Sequence, residues 1–455
     1  MITPESCNMP AKVSRLGNDH GSEKPDQRDL AILRLIHSGS NYSRLDLARK
    51  TGLSPALITS IVRNLIGLKL VNEAPAVSSL VGRKPIPLEV RADAGYLIGV
   101  DIGSFYSHVV IADMKGQVIR REQIETGIPD GRVRVLQRVF DCVHQTIAAS
   151  KVNREAILGM GVAHSGVIDT EKGLVLSFPR PGQMAQWKNV PLQAIFEDEF
   201  HLPCLLEDSV RTMATAERHF GLGREVDDFL FIEVGMGIGA AIFVEGKLYR
   251  GGGGKAGEFG HITVDENGPL CSCGNNGCLE SVASCAAIIQ AGRLAIERGV
   301  DSRIRELARG DLSRISIEVI AQAAAENDSL AYRVLQEAAT YIARGLADLV
   351  NLLNPRQIIF GGALFRTAPQ LLSDPLRRII RQRSLEKSAN DVQLRISPLG
   401  AEAGALGAAR MIAVRALADL HRRAVSHPEQ IAAPDLTDAP SRGDTPAESA
   451  RGRLI

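Results

Sequence analysis

Residues 255–284 read KAGEFGHITVDENGPLCSCGNNGCLESVAS. Three of the chain's seven cysteines stand here as Cys-x-Cys-x4-Cys, at Cys271, Cys273 and Cys278, and His261 lies ten residues before the first. Three thiolates and one imidazole make a closed tetrahedral shell for Zn²⁺, the donor set of a structural site. Gly268, Pro269, Gly274 and Gly277 let the backbone turn tightly enough for such close-spaced ligands to converge. A disulfide does not suit the cluster. Cys271 and Cys273 are poorly placed to bridge each other, an odd thiol is left over, and nothing else in the chain points to export. Two carboxylates, Glu258 and Glu280, flank the cluster, and a metal that fixes the loop would hold both beside it.

Outward from this loop, 455 residues are too many for one ordinary domain, so two or three are expected. A charged share of 23% and a hydrophobic share of 45% describe an ordinary globular chain. The net charge is +1, yet residues 27–92 hold ten Lys and Arg against four acids, a local +6. A compact basic segment on a near-neutral body is the footprint of a polyanion-binding module. No apolar run reaches the ~18 residues of a membrane span. The polar start MITPESCNMPAK is not a signal peptide. Cys7, Cys142, Cys204 and Cys285 read as isolated thiols, and a reducing cytoplasm is the expected compartment.

Within the basic segment, Leu30, Leu33 and Ile36 have helical spacing. Ser43 is placed to cap a helix over SRLDLARKT, which Gly52 ends. Ser54 caps the next helix, with Pro55 at its first position, where a missing N–H costs nothing. Two short helices joined by a glycine turn predict a helix-turn-helix. Its second helix presents Ser54, Ala56, Thr59, Ser60 and Arg63, small and polar at the leading end, as entry into a major groove requires. The stretch after it predicts a two-stranded wing with Arg83 and Lys84 at its tip. With Arg44, these are candidates for phosphate or minor-groove contacts on double-stranded DNA.

From residue 95 the pattern changes to buried strands ending in glycines. YLIGVDIG and FLFIEVGMGIGAAIFV each open a strand–glycine–strand unit followed by mixed α/β sequence. A duplicated α/β fold with a cleft between two lobes is expected. Residues 1–26 and 424–455 are polar, lack periodicity and are expected to be disordered tails. The expected domains are a winged helix-turn-helix over 27–90 and a two-lobed body over 95–423.

The motifs CSCGNNGCLE and GEFGH, standing complete in the opening stretch, resemble the ROK family of sugar kinases and sugar-responsive repressors. That resemblance covers residues 27–423 and implies an actin-like, ribonuclease-H-type ATPase fold. A winged helix-turn-helix with a Gly-Arg-Lys-Pro wing ahead of the body resembles the family's regulator branch. The resemblance implies zinc at His261, Cys271, Cys273 and Cys278. It implies sugar contacts at Glu258, His261 and Glu280, and it puts the family's catalytic base at Asp208. His261 can serve metal and sugar at once, because its two ring nitrogens are distinct.

Several positions depart from the family's pattern. Glu207 stands where an Asn sugar ligand is usual, and is carried as a sugar-binding candidate. Arg180 replaces another such Asn. The first phosphate loop reads Asp101-Ile102-Gly103-Ser104-Phe105, and the second Gly235-Met236-Gly237. Each has lost a hydroxyl donor to a bulky apolar side chain, and phosphate cradles depend on such donors and on close backbone approach. ATP binding is therefore not expected, and Asp208 would be vestigial as a base. The expectation is a regulator, most simply a repressor, that binds an operator as a homodimer or dimer of dimers and responds to a sugar or sugar phosphate. The alternative is an active ROK sugar kinase with an appended DNA-binding domain.

Overall fold

The computed structural model describes residues 25–38, 42–75, 86–178 and 186–426. Arg83, Lys84, Arg180, Cys7 and nearly all of both expected tails lie outside these residues.

The first elements are α1 (Pro25–His37), α2 (Arg44–Thr51) and α3 (Pro55–Gly67). Ser43 begins α2 with a capping box. Asp46 N–H donates to Ser43 Oγ at 3.3 Å, and Ser43 N–H donates to Asp46 Oδ2 at 3.0 Å. Gly52, left-handed at φ 75°, ends the helix. Ser54 caps α3 by accepting from Leu57 N–H at 3.2 Å. One face of α3 is buried through Ile58, Ile61, Val62 and Leu65. Strands β1 (Val71–Glu73) and β2 (Leu88–Val90) pair antiparallel as the expected wing, Val71 opposite Val90.

The body builds one plan twice. In the first lobe β3 (Tyr96–Ile102), β4 (Tyr106–Asp113) and β5 (Val118–Glu125) are followed by α4 (Arg132–Ser150) and β6 (Ile157–His164), which is parallel to β3. A small hairpin of β7 (Val167–Asp169) and β8 (Leu174–Ser177) and helix α5 (Leu192–Phe200) come next. β9 (Cys204–Asp208) pairs parallel with β6 and runs directly into α6 (Ser209–Phe220). In the second lobe β10 (Phe229–Val234), β11 (Ile238–Val244) and β12 (Lys247–Tyr249) form the antiparallel part. Helices α7 (Leu279–Ala283), α8 (Cys285–Glu297), α9 (Arg303–Leu307), α10 (Ile317–Ala325) and α11 (Ser329–Leu353) lead to β13 (Gln357–Gly361). Then α12 (Ala363–Thr367), α13 (Pro369–Arg383) and α14 (Glu386–Asp391) lead to β14 (Gln393–Ile396), and α15 (Ala403–Ser426) follows. The sheet orders, β5-β4-β3-β6-β9 and β12-β11-β10-β13-β14, are the same.

Every residue of β3 and β6 is buried, as unbroken apolar runs in a sheet covered on both faces require. One cover is the first half of α15, and it lies backbone against backbone. A Cβ on Gly99 would sit 1.9 Å from the Ala405 carbonyl oxygen, and one on Gly161 2.0 Å from that of Ala408. Trp187, the chain's one tryptophan, is core. It is fully buried and its ring packs on His164 at 4.7 Å.

Two details depart from expectation. The compact unit that holds the helix-turn-helix is not one stretch: among the described residues it draws on those up to 95, on 113–117 and on 413–426. Within that unit Asn64 Nδ2 on α3 donates to Asp29 Oδ2 on α1 at 2.6 Å, and His421 Nε2 lies 3.9 Å from the same oxygen. Asp29 and His421 are both buried. Residues 424–426, expected in a tail, are still in α15.

Candidate functional site

The loop before α7 brings His261, Cys271, Cys273 and Cys278 together, with one donor atom from each inside a 4.8 Å sphere of mutual distances. His261 Nδ1 is 3.6 Å from Cys271 Sγ, and Cys273 Sγ is 3.6 Å from Cys278 Sγ. A zinc tetrahedron with Zn–S bonds of ~2.3 Å has S–S edges of about 3.8 Å, so the four donors are spaced to close on one ion. Burial, then the neighbouring thiols, push the Cys278 thiol up to about 12. The Cys273 thiol is instead lowered, first by a backbone hydrogen bond at Asn275, and a cation at the centre is what would draw the Cys278 proton off. Gly277, left-handed at φ 63°, passes so close to Asp265 that a Cβ would lie 1.5 Å from the Asp265 carbonyl oxygen.

The same loop carries side chains that line the cleft. Since Nδ1 of His261 turns to the thiols, Nε2 is left toward Glu258, with Oε2 4.0 Å away. Glu280, two residues past Cys278, accepts from the Ile238 N–H at 2.9 Å and so pins the 235–239 turn to the same loop. Glu258, His261 and Glu280 line one cavity of about 610 Å³ with Asp208, Asp101 and both glycine turns.

Asp208 is the last residue of β9 and caps α6, accepting from the Arg211 N–H at 3.0 Å. Burial raises its carboxyl to about 7, with the Glu207 and Glu258 charges adding to the rise and the Arg211 N–H opposing it. The folded state therefore holds this proton more tightly than the unfolded chain does. The stability it lends is full below about pH 4 and is lost as pH rises through about 7. The ionised form is the stronger acceptor for sugar hydroxyls. We expect sugar affinity to climb between about pH 6 and 8, and Asp208→Asn to flatten the climb. Calorimetric titration across that range checks it, and a pH-independent wild type would remove Asp208 from the contact set.

Glu207 departs from its expected role as a sugar contact. It is 1% exposed and absent from the cavity wall. Its Oε2 meets Arg250 Nη2 at 2.5 Å, and its Oε1 meets Arg211 Nη1 at 3.4 Å and the Asp208 N–H at 3.0 Å. Arg211 also donates to the Ala256 carbonyl at 3.0 Å, tying α6 to the segment before Glu258. Nothing in sequence marks either arginine as a partner of Glu207, since Glu207 is on β9, Arg211 on α6 and Arg250 after β12. Asp101, read as the first residue of the first phosphate loop, accepts from Ser209 Oγ at 2.6 Å inside the cavity, and burial raises its carboxyl. His164 ends β6 with Nδ1 accepting from Gly166 N–H at 2.9 Å. Burial lowers it to about 3, so it stays neutral and structural.

On the helix-turn-helix, Ser54, Ala56, Ser60 and Arg63 are exposed and Thr59 is half-buried. Two of these candidates have local duties: Ser54 caps α3, and Thr59 Oγ1 donates to the Pro55 carbonyl at 2.7 Å. Arg44 is paired with Glu73 at 2.7 Å.

These features define a class: a winged helix-turn-helix chain with a two-lobed, actin-like sugar-kinase-type body. The ROK family model matches residues 97–415, and a winged helix-turn-helix DNA-binding model matches residues 25–67. The chain belongs to the ROK family. It is 32% identical over 383 residues to a xylose repressor of Caldicellulosiruptor bescii, covering 84% of this chain and 94% of that one. It is 29% identical over 343 residues to the Escherichia coli K12 regulator NagC, covering 75% and 82%. The crystal structure of a ROK family transcriptional regulator, a homolog of E. coli MLC, superposes with TM-score 0.71 at 29% identity, over 88% of this chain and 99% of that one. A ROK glucokinase from Streptomyces griseus, solved with glucose and AMPPNP, gives 0.61 at 29% identity, over 70% and 99%.

Proposed function

We propose that the protein is a sugar-responsive, DNA-binding transcriptional regulator, a repressor of genes for carbohydrate uptake or metabolism that works in the cytoplasm. The observation that carries this reading is an asymmetry inside one cleft. The acceptors Asp208, Glu258 and Glu280 converge with the His261 ring, while the two glycine turns present Phe105 and Met236. A chain that keeps sugar recognition and loses phosphate donors senses a sugar without phosphorylating it. The similarity to repressors named for xylose and N-acetylglucosamine supports it.

In this reading His261, Cys271, Cys273 and Cys278 hold a structural Zn²⁺ that sets the loop. Ser54, Ala56, Thr59, Ser60 and Arg63 face base edges, and Arg44, Arg83 and Lys84 meet phosphates or the minor groove. A homodimer or dimer of dimers binds paired half-sites. A sugar that favours one lobe arrangement shifts operator affinity by its differential affinity for the two, typically ~1–3 kcal/mol.

Arg63→Ala is expected to weaken operator binding by about 10- to 100-fold while sugar affinity stays constant. Gel-shift and calorimetric titrations read the two separately, and equal loss of both would refute this division of labour. The kinase reading predicts ATP-dependent phosphorylation at ~1–100 s⁻¹ on a hexose and pentose panel. Turnover in that range would overturn the sensor reading.

A further inference from the structure

The cavity does not end at the sugar-facing acceptors. It continues past the 235–237 turn to a second half lined by Glu233, Met236, Ile289, Ile317, Glu318 and Arg366. A volume of about 610 Å³ is that of a site for a drug-sized ligand, and a lone pyranose would leave much of it to water. The second half also carries the wrong charge for phosphate. Glu233 lies over the turn itself, close enough that a Cβ on Gly235 would meet its Oε1 at 2.3 Å. Glu318 opens the first turn of α10 on the same wall. Buried Cys285, whose N–H donates to the Gly235 carbonyl at 2.8 Å, has a thiol that burial, then the charges of Glu233 and Glu318, push up to about 12. Of the guanidiniums in this half, Arg314 is paired with Asp311 at 3.3 Å, and the single charge of Arg366 offsets only one of the two carboxylates that share its wall and act with it on Cys285. Like charge repels a phosphate here, whereas carboxylates accept readily from neutral hydroxyls. Met236, Ile289, Ile315 and Ile317 supply the apolar wall on which the C–H face of a second ring or an aglycone can lie.

We propose that this second half is a subsite for an uncharged polar group, so that the effector is a disaccharide or larger glycoside rather than a free monosaccharide or a sugar phosphate. This rests on the reading of the cleft as the effector site. One turn of sequence, Glu-Val-Gly-Met-Gly at 233–237, would thus have been converted from phosphate contact to glycoside contact.

Calorimetric titration of the full-length protein with matched probes tests it: xylose and xylobiose, glucose and cellobiose, phenyl β-glucoside, glucose 6-phosphate, and AMPPNP. At least one extended, uncharged sugar should bind about tenfold more tightly than its parent monosaccharide, the yield of one or two hydrogen bonds of ordinary net strength. Glu318→Ala, at an exposed position, should shrink that ratio several-fold. A monosaccharide that binds as well as every extended sugar overturns the inference and leaves the sugar-sensor reading standing. Tighter binding of glucose 6-phosphate or AMPPNP overturns it as well. Binding of no sugar of any size sinks the sensor reading itself.

Discussion

Cys278→Ser is expected to abolish metal binding and, with it, sugar recognition. Cys278 is fully buried, its Sγ lies 3.6 Å from Cys273 Sγ, and it sits at the N-cap of α7, two residues before Glu280. Structural zinc in small peptide sites is worth on the order of 10 kcal/mol of coupled folding. The ends of the loop from Glu258 to Glu280 are anchored by buried Phe259 and Leu279 and by the Glu280–Ile238 bond, and Tyr341 Oη donates to Asp265 Oδ2 at 3.1 Å. Around the cysteines themselves the cross-links are short backbone bonds, such as Val264 N–H to the Gly277 carbonyl at 2.9 Å and Cys271 N–H to that of Asn275 at 2.7 Å. Elemental analysis should fall from about one zinc per chain to near zero, and calorimetry should lose the sugar signal. A strong chelator should do the same to the wild type. The helix-turn-helix does not draw on this loop, so operator binding should survive in a form that no longer responds to sugar. A variant that keeps its zinc, or loses zinc and still binds sugar normally, would show that the cluster does not organise the acceptors.

The second large effect is expected at Glu207, and it concerns stability. Glu207→Gln leaves Arg211, whose side chain is 6% exposed, and Arg250 facing a neutral amide. Breaking one partner out of a buried pair costs about 3–5 kcal/mol. The denaturant midpoint should therefore fall sharply. Arg211→Met added to Glu207→Leu should recover part of the loss, because removing both charges together leaves less buried charge uncompensated. Denaturation curves and sugar titrations separate the alternatives. Unchanged stability with lost sugar binding would return Glu207 to the role of ligand.

These two residues also mark what was legible in the sequence. The convergence of the His/Cys cluster could be read because its four side chains lie within eighteen residues of one another, from His261 to Cys278, and turn chemistry fixes how such a stretch folds. The capping serines Ser43 and Ser54 were legible for the same reason: a cap is a contact three residues long. Glu207 was misread because its position in the family's motif says where it stands but not what it meets. Its partner Arg250 comes from the segment after β12, and no local rule joins the two. Asp101 was visible as the first residue of a phosphate loop, yet its role in the cavity depends on Ser209, the first residue of α6. The link between Asn64, Asp29 and His421 had no signal either, since it needs residues from both ends of the chain.

That last link bears on how such a chain could have been assembled. A DNA-reading module joined to a sugar-binding body is easily pictured as a cassette, cut after residue 95 and portable to any other body. Here the cassette is incomplete. Its hydrophobic centre borrows Ala416, Leu417, Leu420 and His421 from the far end of the polypeptide, along with the turn at 113–117, where His37 Nε2 meets the Met114 carbonyl at 3.1 Å. A gene fusion that supplied only the first 95 codons would deliver a reader with an exposed underside. Successful shuffling of this architecture has to exchange both termini together, so the two ends of the gene are expected to be inherited as a pair.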